Sequence, residues 1–132
     1  MPGAARAQDS VTGTDTHIVL VPNPAGAVPT PLPHPFSGTI VQEASPDVLI
    51  NGRPAATVGS VALNQPPHVP TPPGTSFARP PANRGTVALG SATVRINGRA
   101  AARTGDPVRT CNDPADLPVG AITSASADVL IG

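Results

Sequence analysis

Aromatic side chains are almost missing from this chain: among 132 residues there is no Trp, no Tyr and only two Phe, Phe36 and Phe77. A compact domain ordinarily gains buried area per residue from such rings. This core must instead be assembled from Val, Ile, Leu and Ala, and a thin body of small side chains calls for an additional staple. Cysteine is reduced to Cys111, which excludes an internal disulfide. Net charge is absent, because 8 basic residues balance 8 acidic ones. Nothing therefore steers the chain toward nucleic acid or an anionic membrane, and the arginines between Arg79 and Arg109 read as solvated loop and sheet edge. No run approaches the ~20 apolar residues of a membrane span. The start, Met1-Pro2-Gly3-Ala4-Ala5-Arg6, has no apolar core of signal-peptide length. Synthesis and assembly in the cytoplasm are expected.

What is abundant is equally telling. The chain has 19 Pro and 13 Gly, and each interior Pro costs a helix about 3 kcal/mol, so long helices are excluded. Disorder is argued against by β-branched runs and by a repeated phrase. Ser45-Pro46-Asp47-Val48-Leu49-Ile50-Asn51-Gly52-Arg53-Pro54-Ala55-Ala56 returns as Ser91-Ala92-Thr93-Val94-Arg95-Ile96-Asn97-Gly98-Arg99-Ala100-Ala101-Ala102, and its opening returns as Ser126-Ala127-Asp128-Val129-Leu130-Ile131-Gly132. Asn51-Gly52 and Asn97-Gly98 are the preferred pair for a type I′ hairpin turn, where both residues need φ > 0. Three copies of one β-meander predict an all-β body with approximate threefold symmetry. A first strand is expected over residues 17–21. Three Pro-rich loops are expected over residues 22–35, 66–81 and 107–118. Residues 1–14 read as a mobile tail ahead of one domain over residues 15–132.

Four metal-binding residue types lie outside the turn phrases: His17, His34, His68 and Cys111. His17 starts the first expected strand, and the other three occupy one Pro-rich loop each. If the three units wrap an axis, those loops can meet and form a tetrahedral site of three histidines and one cysteine. Zinc suits such donors, and four protein ligands leave no open position for water, so the site would be structural. A metal bound only by the folded chain supplies free energy that a small core lacks. Two other readings stand beside this one. Isolated histidines in loops are ordinarily solvent-exposed, and Cys111 could be a buried small hydrophobe or a reactive thiol. Glu43 and Asp113 sit in no H-x-E or H-E-x-x-H context, so no enzyme is expected, and a small zinc hydrolase is the remote alternative.

The repeats and these residues together resemble the PAAR-repeat family, the spike tip proteins of type VI secretion systems and related contractile injection systems. The resemblance rests on Pro54-Ala55-Ala56-Thr57 and Ala100-Ala101-Ala102-Arg103 after the Asn-Gly turns, on the β phrase Ser45–Gly52, and on Gly105-Asp106 after the second copy. Thr57 departs from the family arginine. The resemblance implies a small cone of three β units holding one structural Zn(2+) per chain through His17, His34, His68 and Cys111. It implies a tip that caps a homotrimeric β-helical spike of the valine-glycine repeat type, one chain on three, and helps pierce a target membrane that it touches transiently. An adaptor carrying non-covalent effector cargo is the alternative. With the third phrase reaching only Gly132, no fused toxin domain is expected. The particle would be assembled in the cytoplasm and its tip delivered to or across the target membrane.

Overall fold

A computed structural model describes all 132 residues. The strands are β1 (Ser10–Val21), β2 (Val28–Gln42), β3 (Leu49–Ile50), β4 (Arg53–Pro54), β5 (Val61–Asn64), β6 (Ser76–Phe77), β7 (Arg84–Val87), β8 (Arg95–Ile96), β9 (Arg99–Ala100), β10 (Pro107–Thr110) and β11 (Leu117–Ile122). There is no helix. Six strands close on themselves in the order β1-β2-β5-β7-β10-β11, and β11 returns to β1 through Val11↔Ile122 and Thr12↔Ala121. Closure removes the free sheet edges of this small all-β cone. β6 pairs with the far end of β1 at Val19↔Phe77. The Asn-Gly turns form as expected, with φ of 54° at Asn51 and 52° at Asn97, and they join β3 to β4 and β8 to β9.

Approximate threefold symmetry is written in the backbone. Ala5 N–H donates to Ala102 O, Ala102 N–H to Ala56 O, and Ala56 N–H back to Ala5 O, at 2.9 to 3.0 Å. This triangle needs side chains no larger than methyl, and all three alanines are buried. One layer away, Ala4, Ala55 and Ala101 pack with Ile50, Ile96 and Ile131. On the other side the core is Val11, Phe36, Ile40, Val87, Val108 and Ile122.

The expected tail over residues 1–14 is not what the structure has. Gly3 bridges Leu130, Ala4 bridges Arg103, Arg6 bridges Ala55, and β1 begins at Ser10. Gly3-Ala4-Ala5-Arg6 occupies the place that Pro54–Thr57 and Ala100–Arg103 hold in the other units, so the third unit is built from both ends of the chain. The Arg6–Asp9 ion pair at 2.9 Å repeats as Arg103–Asp106 at 2.9 Å. In the remaining unit a neutral pair stands in, with Thr57 N–H donating to Ser60 Oγ at 2.9 Å.

The first expected loop, residues 22–35, is also corrected, because most of it belongs to β2. Pro29, Pro31, Pro33 and Pro35 point outward, while His34 and Phe36 between and beyond them are buried. Proline lacks an N–H, but β1 pairs with only one edge of β2, and β2 meets β5 only from Gly38 onward. Proline at every second residue places each missing donor on the unpaired edge, where it also blocks further strand addition. The third expected loop, residues 107–118, is half strand, at β10 and the start of β11, with residues 111–116 left irregular, and residues 66–81 are irregular apart from β6.

Candidate metal centre

Alternate residues of a strand share a face, and on β1 this buries Asp15 and His17 while Thr16 faces outward. The β1–β2 register sets His34 directly across from Asp15. Cys111 follows β10, in a segment that covers the gap on β1 between its β11 and β6 pairings. There Thr16 N–H donates to Asn112 Oδ1 at 2.7 Å, Asp113 N–H to Thr16 O at 2.8 Å, and Ile18 N–H to Asp113 Oδ2 at 2.8 Å. His68 comes from the irregular segment after β5 and is held by its own N–H donating to Asn83 Oδ1 at 2.8 Å.

These elements bring His17, His34, His68 and Cys111 into one buried cluster. The three imidazole centroids lie 5.1 to 5.6 Å apart. Phe36 closes the cluster at His68 and Phe77 closes it at His17 and His34. The donor atoms that converge most closely are those of His17, His68, Cys111 and a fourth residue, Asp15, all within 4.8 Å of one another. Cys111 Sγ is 3.6 Å from His17 Nε2 and 3.4 Å from Asp15 Oδ2, and His68 Nε2 is 2.8 Å from the same carboxylate oxygen. His34 stands beside them with both nitrogens engaged, Nδ1 with Leu32 O at 2.9 Å and Nε2 accepting from Thr71 N–H at 3.1 Å.

Asp15 was missed in the sequence. Its signal was available in the alternation Asp15-Thr16-His17 on a strand, which aims a carboxylate and an imidazole at the same interior.

Electrostatics favour the neutral form of His17 and His34. Burial pushes His17 below its ordinary value, against the pull of Asp113, and burial likewise lowers His34. Burial, reinforced by Asp15, pushes the Cys111 thiol up to about 11. Burial would raise Asp113, yet the Ile18 N–H bond and Arg79, whose Nη2 is 2.6 Å from Oδ1, hold it low.

The donor set fits a zinc ion. Two imidazoles, a thiol and a carboxylate are the groups zinc takes. His17 Nδ1 is buried without a hydrogen bond and faces Asp113 Oδ2 at 3.5 Å. A carboxylate behind the second nitrogen is the partner that orients a metal-bound histidine. A cation here would displace the thiol proton that burial otherwise retains.

No curated protein matches the chain. A family model described as PAAR motif matches residues 78–132, from the end of the second Pro-rich segment through the second and third phrases, in agreement with the PAAR-repeat family that the sequence resembles.

Proposed function

We propose that this chain is the structural, zinc-stapled tip of a contractile injection machine, and that it caps the trimeric central spike and helps that spike pierce a target membrane. The observation that carries the reading is the triangle of Ala5, Ala56 and Ala102, which lets one chain present three similar corners to three identical subunits. Each corner bears the same pair of positions, Val48-Leu49, Val94-Arg95 and Val129-Leu130. Leu49 is 60% exposed and Leu130 51%, and uncovered apolar residues on related corners suit burial against a spike.

The zinc would be structural. The ligand set implied by the resemblance, His17, His34, His68 and Cys111, and the set whose donor atoms converge, Asp15, His17, His68 and Cys111, share three members. Either set fills four positions with protein atoms and leaves none for an activated water. Bound metal would stabilise the folded chain by tying β1, the segment after β5 and the end of β10 together.

Mixing the chain with the trimeric spike of its own machine and weighing the product tests the reading. A complex of one tip on three spike subunits is expected, and it should be lost with Leu49→Asp and Leu130→Asp together while the β-sheet spectrum is kept. Failure of the unsubstituted tip to bind the spike overturns it.

A further inference from the structure

We infer that the seam between the first and second β units is a docking site for a carboxylate-bearing segment of a partner protein bound once per chain, with the Arg99 guanidinium as its anchor. The site goes beyond the spike-tip reading and does not depend on it.

The approximate threefold axis shows what this seam lacks. Where the third unit meets the first, Asp9 holds Arg6 at 2.9 Å and also takes Arg53, from the first hairpin, at 3.1 Å. Arg99 holds the place in the second hairpin that Arg53 holds in the first, directly after Asn-Gly. The residue equivalent to Asp9 at its seam is Ser60, whose Oγ accepts from Thr57 N–H and donates to Glu43 O, at 2.9 Å each. Arg99 lies across the neighbouring Gly59, where an added Cβ would sit 3.1 Å from its Nη1. Glu43 shares a small cavity with Arg99 without pairing with it. The guanidinium thus stands beside the position of the missing carboxylate and has no acidic partner in the chain.

A groove of about 630 Å³ opens beside Arg99, lined among others by Val58, Ala88, Leu89 and Arg95. It holds no acidic side chain, and Arg95 reaches only Gly98 O, at 3.3 Å. Leu89 is 64% exposed, and the N–H groups of Leu89 and Gly90 donate to nothing in the chain. An unpaired guanidinium and free backbone donors suit a carboxylate, which arginine takes through two parallel hydrogen bonds. Val58 and Leu89 suit an apolar neighbour of that carboxylate. The other seams offer no free cation, because Asp9 neutralises Arg53 and Asp106 holds Arg103 at 2.9 Å. A site present once about a threefold axis fits a partner bound singly, not one repeated around the axis.

Titration of the full chain with a capped Gly-Leu-Asp-Leu-Gly peptide, followed by heteronuclear NMR of the amide and arginine Nε–H groups, tests the site. Saturable shifts centred on Leu89, Gly90 and Arg99 are expected. The matching peptide with Asn in place of Asp should bind at least about three-fold more weakly, and so should the Asp peptide to Arg99→Gln. Thr57→Arg combined with Ser60→Asp restores the pair that the other units have. With its β-sheet spectrum kept, that variant should lose peptide affinity as well, because Arg99 is then engaged within the chain. Absence of saturable shifts, equal affinity for the two peptides, or undiminished binding to either variant overturns the site. Displacement of the peptide by the trimeric spike overturns the assignment to a singly bound partner and makes the spike the occupant.

Discussion

Cys111 is nearly inaccessible, and its thiol is held up to about 11 by burial and by Asp15. Thiolate is the reactive form. A disulfide-exchange reagent at neutral pH should therefore label the metal-free native protein at least about a hundred times more slowly than the urea-unfolded chain. Comparable rates would show that the segment after β10 opens freely. At the exposed corner, hydrogen bonds from Asn51 and then Ser126 hold Asp128 below the ordinary 3.8. A carboxylate lowered on folding adds stability that is complete above 3.8 and is lost as pH falls from there through the lower folded value. Urea midpoints of Asp128→Asn should accordingly converge on those of the unsubstituted chain in acid and lie below them at neutral pH.

At the scale of elements, the corners are clasped to one another. Asn97 Nδ2 donates to Asp47 Oδ1 at 2.8 Å and its Oδ1 accepts from Ser45 Oγ, while Asn51 Nδ2 donates to Asp128 Oδ1 at 2.9 Å and its Oδ1 accepts from Ser126 Oγ. Each hairpin thus grips the start of the phrase in a neighbouring unit. At the third corner Ser91 Oγ donates to Gly132 O, the backbone of the residue that stands where the other copies have Asn. The Asn side chains therefore do two things: they tolerate positive φ and they tie units together. Asn97→Gly keeps the first and loses the second, and should cost about 0.5–1.5 kcal/mol. Asn97→Ala loses both and should cost about 1–2 kcal/mol more, a difference that paired denaturation curves resolve. β2 is equally constrained at Gly38, where an added Cβ would sit 2.1 Å from the carbonyl oxygen of Leu63. Gly38→Ala should force β2 and β5 apart and lower the midpoint, whereas no change would mean that the pairing slides.

For the whole molecule the triangle of Ala5, Ala56 and Ala102 is the tightest waist. Ala56→Leu would drive a side chain into a layer closed by backbone on three sides, at about 1–3 kcal/mol or more, and should weaken zinc retention and spike capping together because both ends hang on that waist. Chemical denaturation read beside zinc content checks this. A substitution that destabilises neither would indicate that the axis has slack.

How much of this was legible depends on distance along the chain. The Asn-Gly corners, the paired strands around them and the absence of helix could be read from residue order, because turn conformation and strand alternation are set by near neighbours and by repetition, whereas a joint site of His17, His34, His68 and Cys111 was an expectation from the family resemblance. Residues 28–35 read as loop in the sequence, because four alternating prolines argue against a strand until one knows that only one edge is paired. Gly3-Ala4-Ala5-Arg6 carried the Ala-Ala-Arg signature, yet without the preceding turn it looked like a tail.

By itself, then, the sequence determined three repeated β phrases, sharp corners at Asn51 and Asn97, and a core built from small aliphatic side chains with only two aromatic rings. Only the tertiary structure decided that the chain's two ends join to make the third unit, and that Asp15 lies with His17, His68 and Cys111 in one buried cluster. The reason is physical: those outcomes are set by hydrogen bonds between residues far apart in the chain, such as Ala5 with Ala102 and His68 with Asp15, to which local backbone preference contributes nothing.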